Sequence, residues 1–234
     1  MESNTGCRHS SLPPHSPSST ARYATRTWLF DLDNTLHNAS AHIFPQIGRS
    51  MRDYMCQHLD LDEAQATALR QHYWRRYGAT LLGLMRHHAI DPVHFLHHTH
   101  QFDDLPSMVV IERGLKAMLK RLPGRKIIFS NAPFQYTQAI LAITGIGRCF
   151  DAVYSVESIR FKPKPATQGF LYLLRAEGLD PHSCTMVEDT LPNLRTAKRL
   201  GMKTVWVNCG TRKPPYADIR VRSVLDLPHR LGQL

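Results

Sequence analysis

Apolar residues along the chain gather into short runs bounded by turn signals: TWLFD (27–31), KIIFSN (126–131), AVYSV (152–156), TMVED (185–189) and KTVWVN (203–208). They are rich in Val, Ile, Phe and Trp and do not alternate cleanly with polar residues, which is how strands covered on both faces read. Helical patterns stand between them: FQYTQAILAI (134–143), PATQGFLYLLRAEG (165–178) and LPNLRTAKRLG (191–201). The last two end on Gly178 and Gly201, where a helix C-terminus favours positive φ. Strands alternating with helices predict an α/β protein with a doubly wound, Rossmann-like parallel sheet.

The interval 37–106 breaks this rhythm. It offers no convincing strand but shows helical spacing at Ile43, Ile47, Met51, Tyr54, Met55 and His58. Asp91 followed by Pro92 reads as a helix start. The simplest organisation has a Ser-, Pro- and His-rich tail at 1–24, a core made of 25–36 and 107–234, and an all-helical insertion at 37–106. Residues 107–122 are expected to return to the core as one helix.

Composition narrows the class. With 234 residues, 42% hydrophobic and 21% charged, the chain has the make-up of an ordinary globular protein. No apolar run approaches the roughly 18–20 residues of a membrane span, and the start lacks the apolar middle of a signal peptide. Five scattered cysteines without CxxC spacing (Cys7, Cys56, Cys149, Cys184, Cys209) point to a reducing, cytoplasmic setting. The net charge of +10 is spread over short groups, so a basic surface around an anionic small-molecule site accounts for it as well as nucleic-acid binding does.

Candidate chemistry collects at the carboxyl ends of the predicted strands, where such sheets bind ligands. The first ends in Asp31-Leu32-Asp33, the second in Ser130-Asn131 and the fourth in Glu188-Asp189-Thr190, while FKPKPATQGF brings Lys162 and Lys164 after the third. Two carboxylates that close repel unless a cation or shared proton compensates. Oxygen-only acidic ligands favour a hard cation such as Mg²⁺, hydroxyl, amide and ammonium donors suit a phosphate, and an aspartate can attack phosphorus. Asp31 and Asp33 could instead cap a turn with Asn34 and Thr35, and Glu188-Asp189 could cap the next helix.

DLDNTL, FSN, KPATQGF and VEDTLPN, in this order and at these places, resemble the four motifs of the haloacid dehalogenase-like hydrolases, and the helical insertion resembles that family's cap. The resemblance implies Asp31 as nucleophile, Asp33 as general acid and base, Ser130 and Asn131 as phosphate holders, and Mg²⁺ bound by Asp31, the Asp33 carbonyl and Asp189 with help from Glu188. Asp33 is the acid that separates phosphatases from the dehalogenase members. The family's lysine is followed six positions on by an aromatic, which Lys164 satisfies through Phe170 and Lys162 does not.

Within the family, Tyr77-Gly78 and Gly83-Leu84 in YGATLLGLMRHH are similar to the pyrimidine 5′-nucleotidase branch, with His37 where that branch usually has Tyr. The implied activity is hydrolysis of a small phosphorylated substrate, a nucleotide such as UMP or CMP, with Tyr77, Arg86, His87 and His88 of this stretch placed to choose the base; Tyr73, Trp74 and Tyr77 read as cap core, from which one ring could stack on a base. Two other functions compete: a phosphoglycolate or sugar-phosphate phosphatase, and a basic nucleic-acid binder on a dead hydrolase fold. The intact acids speak against the binder, since polyanions gain nothing from clustered carboxylates. His94, His97 and His98 lack the Cys or HExxH company of a zinc site and read as a solvated face.

Overall fold

The computed structural model describes residues 26–210 and 212–234, so the expected tail at 1–24 lies outside the described residues. Six strands form one parallel sheet: β1 (Thr27–Phe30), β2 (Arg125–Phe129), β3 (Ala152–Tyr154), β4 (Cys184–Glu188), β5 (Lys203–Val207) and β6 (Ile219–Val221). Their order is β3-β2-β1-β4-β5-β6, the doubly wound arrangement. β1 is buried along its whole length, with Trp28 and Phe30 packed on one side of the sheet and Leu29 on the other, which explains why it reads as continuously apolar.

Four helices follow β1: α1 (Ile43–Leu59), α2 (Glu63–Tyr77), α3 (Thr80–His88) and α4 (Pro92–Thr99). They share a core of their own, in which Tyr54, Met55, Tyr73, Leu84 and Phe95 are buried together. Asp91 caps α4, its carboxylate accepting the His94 N–H. The remaining long helices are α5 (Leu115–Arg121), α6 (Phe134–Thr144), α7 (Thr167–Ala176) and α8 (Leu191–Arg199). α5 and α6 pack on the Trp28 side, α7 and α8 on the Leu29 side. Among the described residues no helix is long and apolar enough to cross a membrane.

One expectation needs correction, and one strand has no counterpart among the expected elements. The segment 107–122 is not one helix: a turn at Leu105–Met108 gives way to extended backbone at Val109, and α5 begins only after Gly114, whose φ of 93° is left-handed. The β-branched run Val109-Val110-Ile111 disfavours a helix, and the Val110 carbonyl accepts the Asn38 N–H instead. β6 was missed because three residues carry too little pattern; it exists by pairing with β5 and burying Ile219 and Val221.

The chain leaves β1 toward β2 and β3 on one side, then returns to place β4 on the other. The topological switch therefore lies between β1 and β4, the crevice where such sheets hold ligands.

Candidate active site

The register that pairs Phe30 with Val187 sets Asp31 level with Glu188, and the Asp31 N–H donates to the Val187 carbonyl at 3.0 Å. Just beyond, Asn34 takes a left-handed φ of 60°, and its side chain closes a turn onto Ser40. This stops the strand and leaves Asp31 buried at its end.

Lys164 is the hub. Its Nζ lies 2.6 Å from Asp31 Oδ1 and 2.7 Å from Glu188 Oε2, and the whole side chain is only 1% exposed. Lys162 is exposed and has no place in this cluster. Burial pushes Asp31 up to about 7, the Glu188 charge adding and the Lys164 ammonium opposing. Burial likewise takes Glu188 up to about 7 against Lys164, and raises Asp189, where the Asp31 charge adds. For Lys164 burial works toward neutrality, but the two carboxylates together outweigh it and hold the ammonium charged.

Oxygen atoms of Asp31, Glu188 and Asp189 come within 4.8 Å of one another. Three carboxylates against one ammonium leave a formal charge of −2, which one divalent cation cancels. Donors that are all oxygen suit Mg²⁺, so these residues fit that ion. The helix-cap reading of the acidic pair fails locally: Thr190 is the N-cap of α8 and no side chain caps it. Glu188 Oε1 accepts the Thr190 N–H, while Asp189 Oδ1 accepts from the Thr190 hydroxyl.

Asp33 points to a different set of partners. Its Oδ1 accepts the Tyr136 hydroxyl at 2.6 Å and lies 2.8 Å from His37 Nε2. Burial and the Asp33 charge together hold the Tyr136 phenol protonated. Sequence reading missed Tyr136; its one local signal is a tyrosine on the inner face of α6, beside Thr137, Ile140 and Leu141.

Ser130 is buried, its Oγ accepting the Ala132 N–H. The Asn131 side chain engages the main chain of Lys164 in two hydrogen bonds of 2.8 Å and also lines the cleft.

Above these groups lies a cleft of about 480 Å³, roofed by the helices that follow β1. Asp31, Asp33, Ser130, Asn131, Lys164 and Asp189 all reach its floor. Its roof was expected to carry Tyr77, Arg86, His87 and His88, and here the structure differs. Tyr77 and His87 bond each other, Tyr73 bonds His88, and Arg86 lies over the Tyr77 ring, and none of the four expected residues lines the cleft. The glycines of that stretch have steric reasons: a Cβ on Gly78 would meet Pro165 Cδ at 2.3 Å, and one on Gly83 the Tyr73 ring at 2.1 Å. His94, His97 and His98 are exposed on α4, with His94 bonded to Tyr54.

Known proteins bear on this site. The family model of haloacid dehalogenase-like hydrolases matches residues 25–201. The chain is 25% identical over 194 residues to "Phosphate metabolism protein 8" of Saccharomyces cerevisiae, covering 76% of this chain and 60% of that one. It is 31% identical over 134 residues to human N-acylneuraminate-9-phosphatase, covering 54% of each. The chain thus spans about half to three fifths of the curated relatives it matches. In fold it is similar to a phosphatase of this family from Thermococcus onnurineus, with a TM-score of 0.59 at 23% identity over 89% of this chain and 98% of that one.

Proposed function

The chain belongs to the haloacid dehalogenase-like hydrolases, and on that premise we propose that it is a Mg²⁺-dependent phosphatase of small phosphomonoesters, with pyrimidine 5′-nucleotides as preferred substrates. The observation that carries the phosphatase reading is the second acid: Asp33 reaches the same cleft as Asp31, yet its carboxylate is held apart by Tyr136 and His37. Two carboxyls in different surroundings can take different roles. The names of the yeast and human relatives agree with phosphate chemistry.

In this mechanism an Asp31 oxygen attacks phosphorus while the bond to the leaving oxygen breaks, and protonated Asp33 gives its proton to that oxygen. Asp33, now a carboxylate, takes a proton from the water that attacks the aspartyl-phosphate. Inorganic phosphate leaves and Asp31 is restored. Lys164 keeps Asp31 oriented and offsets its charge as the dianionic phosphate approaches. Ser130 donates its hydroxyl proton to a phosphate oxygen. Asp31, the Asp33 carbonyl and Asp189 would hold Mg²⁺, with Glu188 beside them. When bound, the ion supplies positive charge to phosphoryl oxygens.

Residues 37–106 act as the cap over the core formed by 25–36 and 107–234, the cleft lying between them. The free thiols Cys56, Cys149, Cys184 and Cys209 support a cytoplasmic setting. A sugar phosphate as substrate is the second reading, favoured by the 31% identity to N-acylneuraminate-9-phosphatase. A phosphate-release screen over nucleoside monophosphates, sugar phosphates and phosphoglycolate, with and without Mg²⁺, tests both. The highest kcat/KM on UMP or CMP is expected, and a clear preference for a sugar phosphate overturns the nucleotidase assignment.

A further inference from the structure

The roof of the cleft is built from two helix faces. On α1, Phe44, Ile47, Gly48 and Met51 follow the i, i+3, i+4, i+7 spacing of one stripe, and on α2, Arg70 and Trp74 are one turn apart. Two features of this roof are unusual for a protein wall. Trp74 is 59% exposed and Phe44 41% exposed, although both are large and apolar. An exposed aromatic inside a cleft marks a ligand surface more than a fault of packing.

The second feature is Arg70. Its guanidinium lies against α1 where a Cβ on Gly48 would stand 3.9 Å from both Cζ and Nη1, so the glycine leaves an open bed for it. Among the described residues no carboxylate and no hydrogen-bond acceptor engages that guanidinium, and Arg70 contributes only its backbone carbonyl, to Thr80. Other arginines are committed, as Arg125 is to Glu177 and Arg52 to Asp53. A half-buried cationic fork without a partner among the described residues, set in a cleft wall beside an exposed indole, has its five donors to offer to a ligand.

We propose that Arg70 and Trp74 form the leaving-group subsite, with Trp74 stacking on the flat base of a nucleoside monophosphate and Arg70 donating to the carbonyl edge of that base. The inference rests on the nucleotidase reading and moves base selection away from Arg86, His87 and His88. Phe44, on the neighbouring helix, supplies a second aromatic surface at the mouth. A pyrimidine suits this pair because its carbonyl oxygens accept hydrogen bonds while its ring keeps a π-face. A site built on an unpaired donor also discriminates against ligands that leave the donor empty.

The test compares kcat/KM for UMP with kcat/KM for ribose 5-phosphate, which carries the same phosphate and sugar without the base, in the full-length protein. Trp74→Ala should lower the UMP to ribose 5-phosphate ratio about fivefold or more, as expected for the loss of one stacked base. Arg70→Ala and Arg70→Lys should both lower it about tenfold, since lysine keeps the charge and loses the fork. Arg86→Ala, outside the cleft, should leave the ratio as in the wild type, and thermal melting of each variant checks folding. A wild type that prefers UMP while the Arg70 and Trp74 variants keep its ratio overturns the subsite and leaves the nucleotidase reading in place. A wild type with no preference for UMP overturns both.

Discussion

Asn131 grips Lys164 by its main chain: Oδ1 accepts the Lys164 N–H and Nδ2 donates to the Lys164 carbonyl, each at 2.8 Å. The two residues are 33 apart in sequence and sit on different loops. The amide therefore ties the end of β2 to the loop that carries the ammonium, and Lys164 in turn spans Asp31 and Glu188. Replacing Asn131 by Ala should cost on the order of 10²-fold in kcat, because a loosened loop misplaces the ammonium by a fraction of its reach. Activity close to wild type, with an unchanged Tm, would mean that the loop is held by other contacts.

Lys164→Ala should be far more damaging than Lys162→Ala. The first removes the one cation between two buried carboxylates, while the second changes an exposed side chain. Phosphate release by the two purified variants decides the ranking, and the reverse order would displace Lys164 from the site.

Asp31→Asn nearly preserves shape and removes the charge proposed to attack phosphorus. Turnover should fall by several orders of magnitude with the fold intact, and a variant retaining more than about a tenth of the rate would show that Asp31 is not the nucleophile.

Metal and pH should be linked. Asp31 and Glu188 both sit up at about 7, burial being the main cause. Without metal the folded chain therefore binds more protons than the unfolded one between about pH 4 and pH 7, so stability falls as pH rises through that window. A divalent cation competes with those protons. Mg²⁺ should raise the Tm more near pH 8 than near pH 5.5 and restore the activity that a chelator abolishes. Equal Tm shifts at the two pH values, or full activity in the chelator, would contradict this.

Gly78→Ala should loosen the junction of roof and floor. Its φ of 79° is left-handed, which costs an alanine about 1–2 kcal/mol. The added methyl would also press on Pro165, the neighbour of Lys164. A lower Tm and a lower kcat/KM are expected together, by melting and steady-state kinetics. A loss of stability alone would show that Pro165 yields without moving the lysine.

What the sequence determined was local. β1 reads as a buried strand because β-branched Thr27 leads into the apolar run Trp28–Phe30, and Asn34-Thr35 marks its stop, so Asp31 and Asp33 are assignable to a strand end without any tertiary contact. The same holds for Ser130, Glu188 and Asp189, each of which follows an apolar run within one or two residues. Gly178 and Gly201 were legible as helix ends for the same reason, and both have positive φ.

Tertiary structure decided which side chains meet across the chain. Tyr136 and Asp33 are 103 residues apart, and nothing near either one announces the other. Asn131 reads in the sequence as a ligand for phosphate, and only the fold shows its amide on the Lys164 backbone as well. His87 and His88 stand close in sequence to Gly78-Leu81 in the cleft wall, yet α3 turns them toward Tyr77 and Tyr73. Trp74 reads in the sequence as one of three cap aromatics able to stack on a base, and only the fold picks it out by exposing it in the cleft, while Arg70 carries no sequence signal. Periodicity along a chain encodes which element forms and which residues share its face, because side chains return to one side about every 3.6 residues in a helix and every 2 in a strand. Where that face points is settled by how whole helices roll and pack to bury their apolar stripes, a choice made by surfaces far apart in sequence.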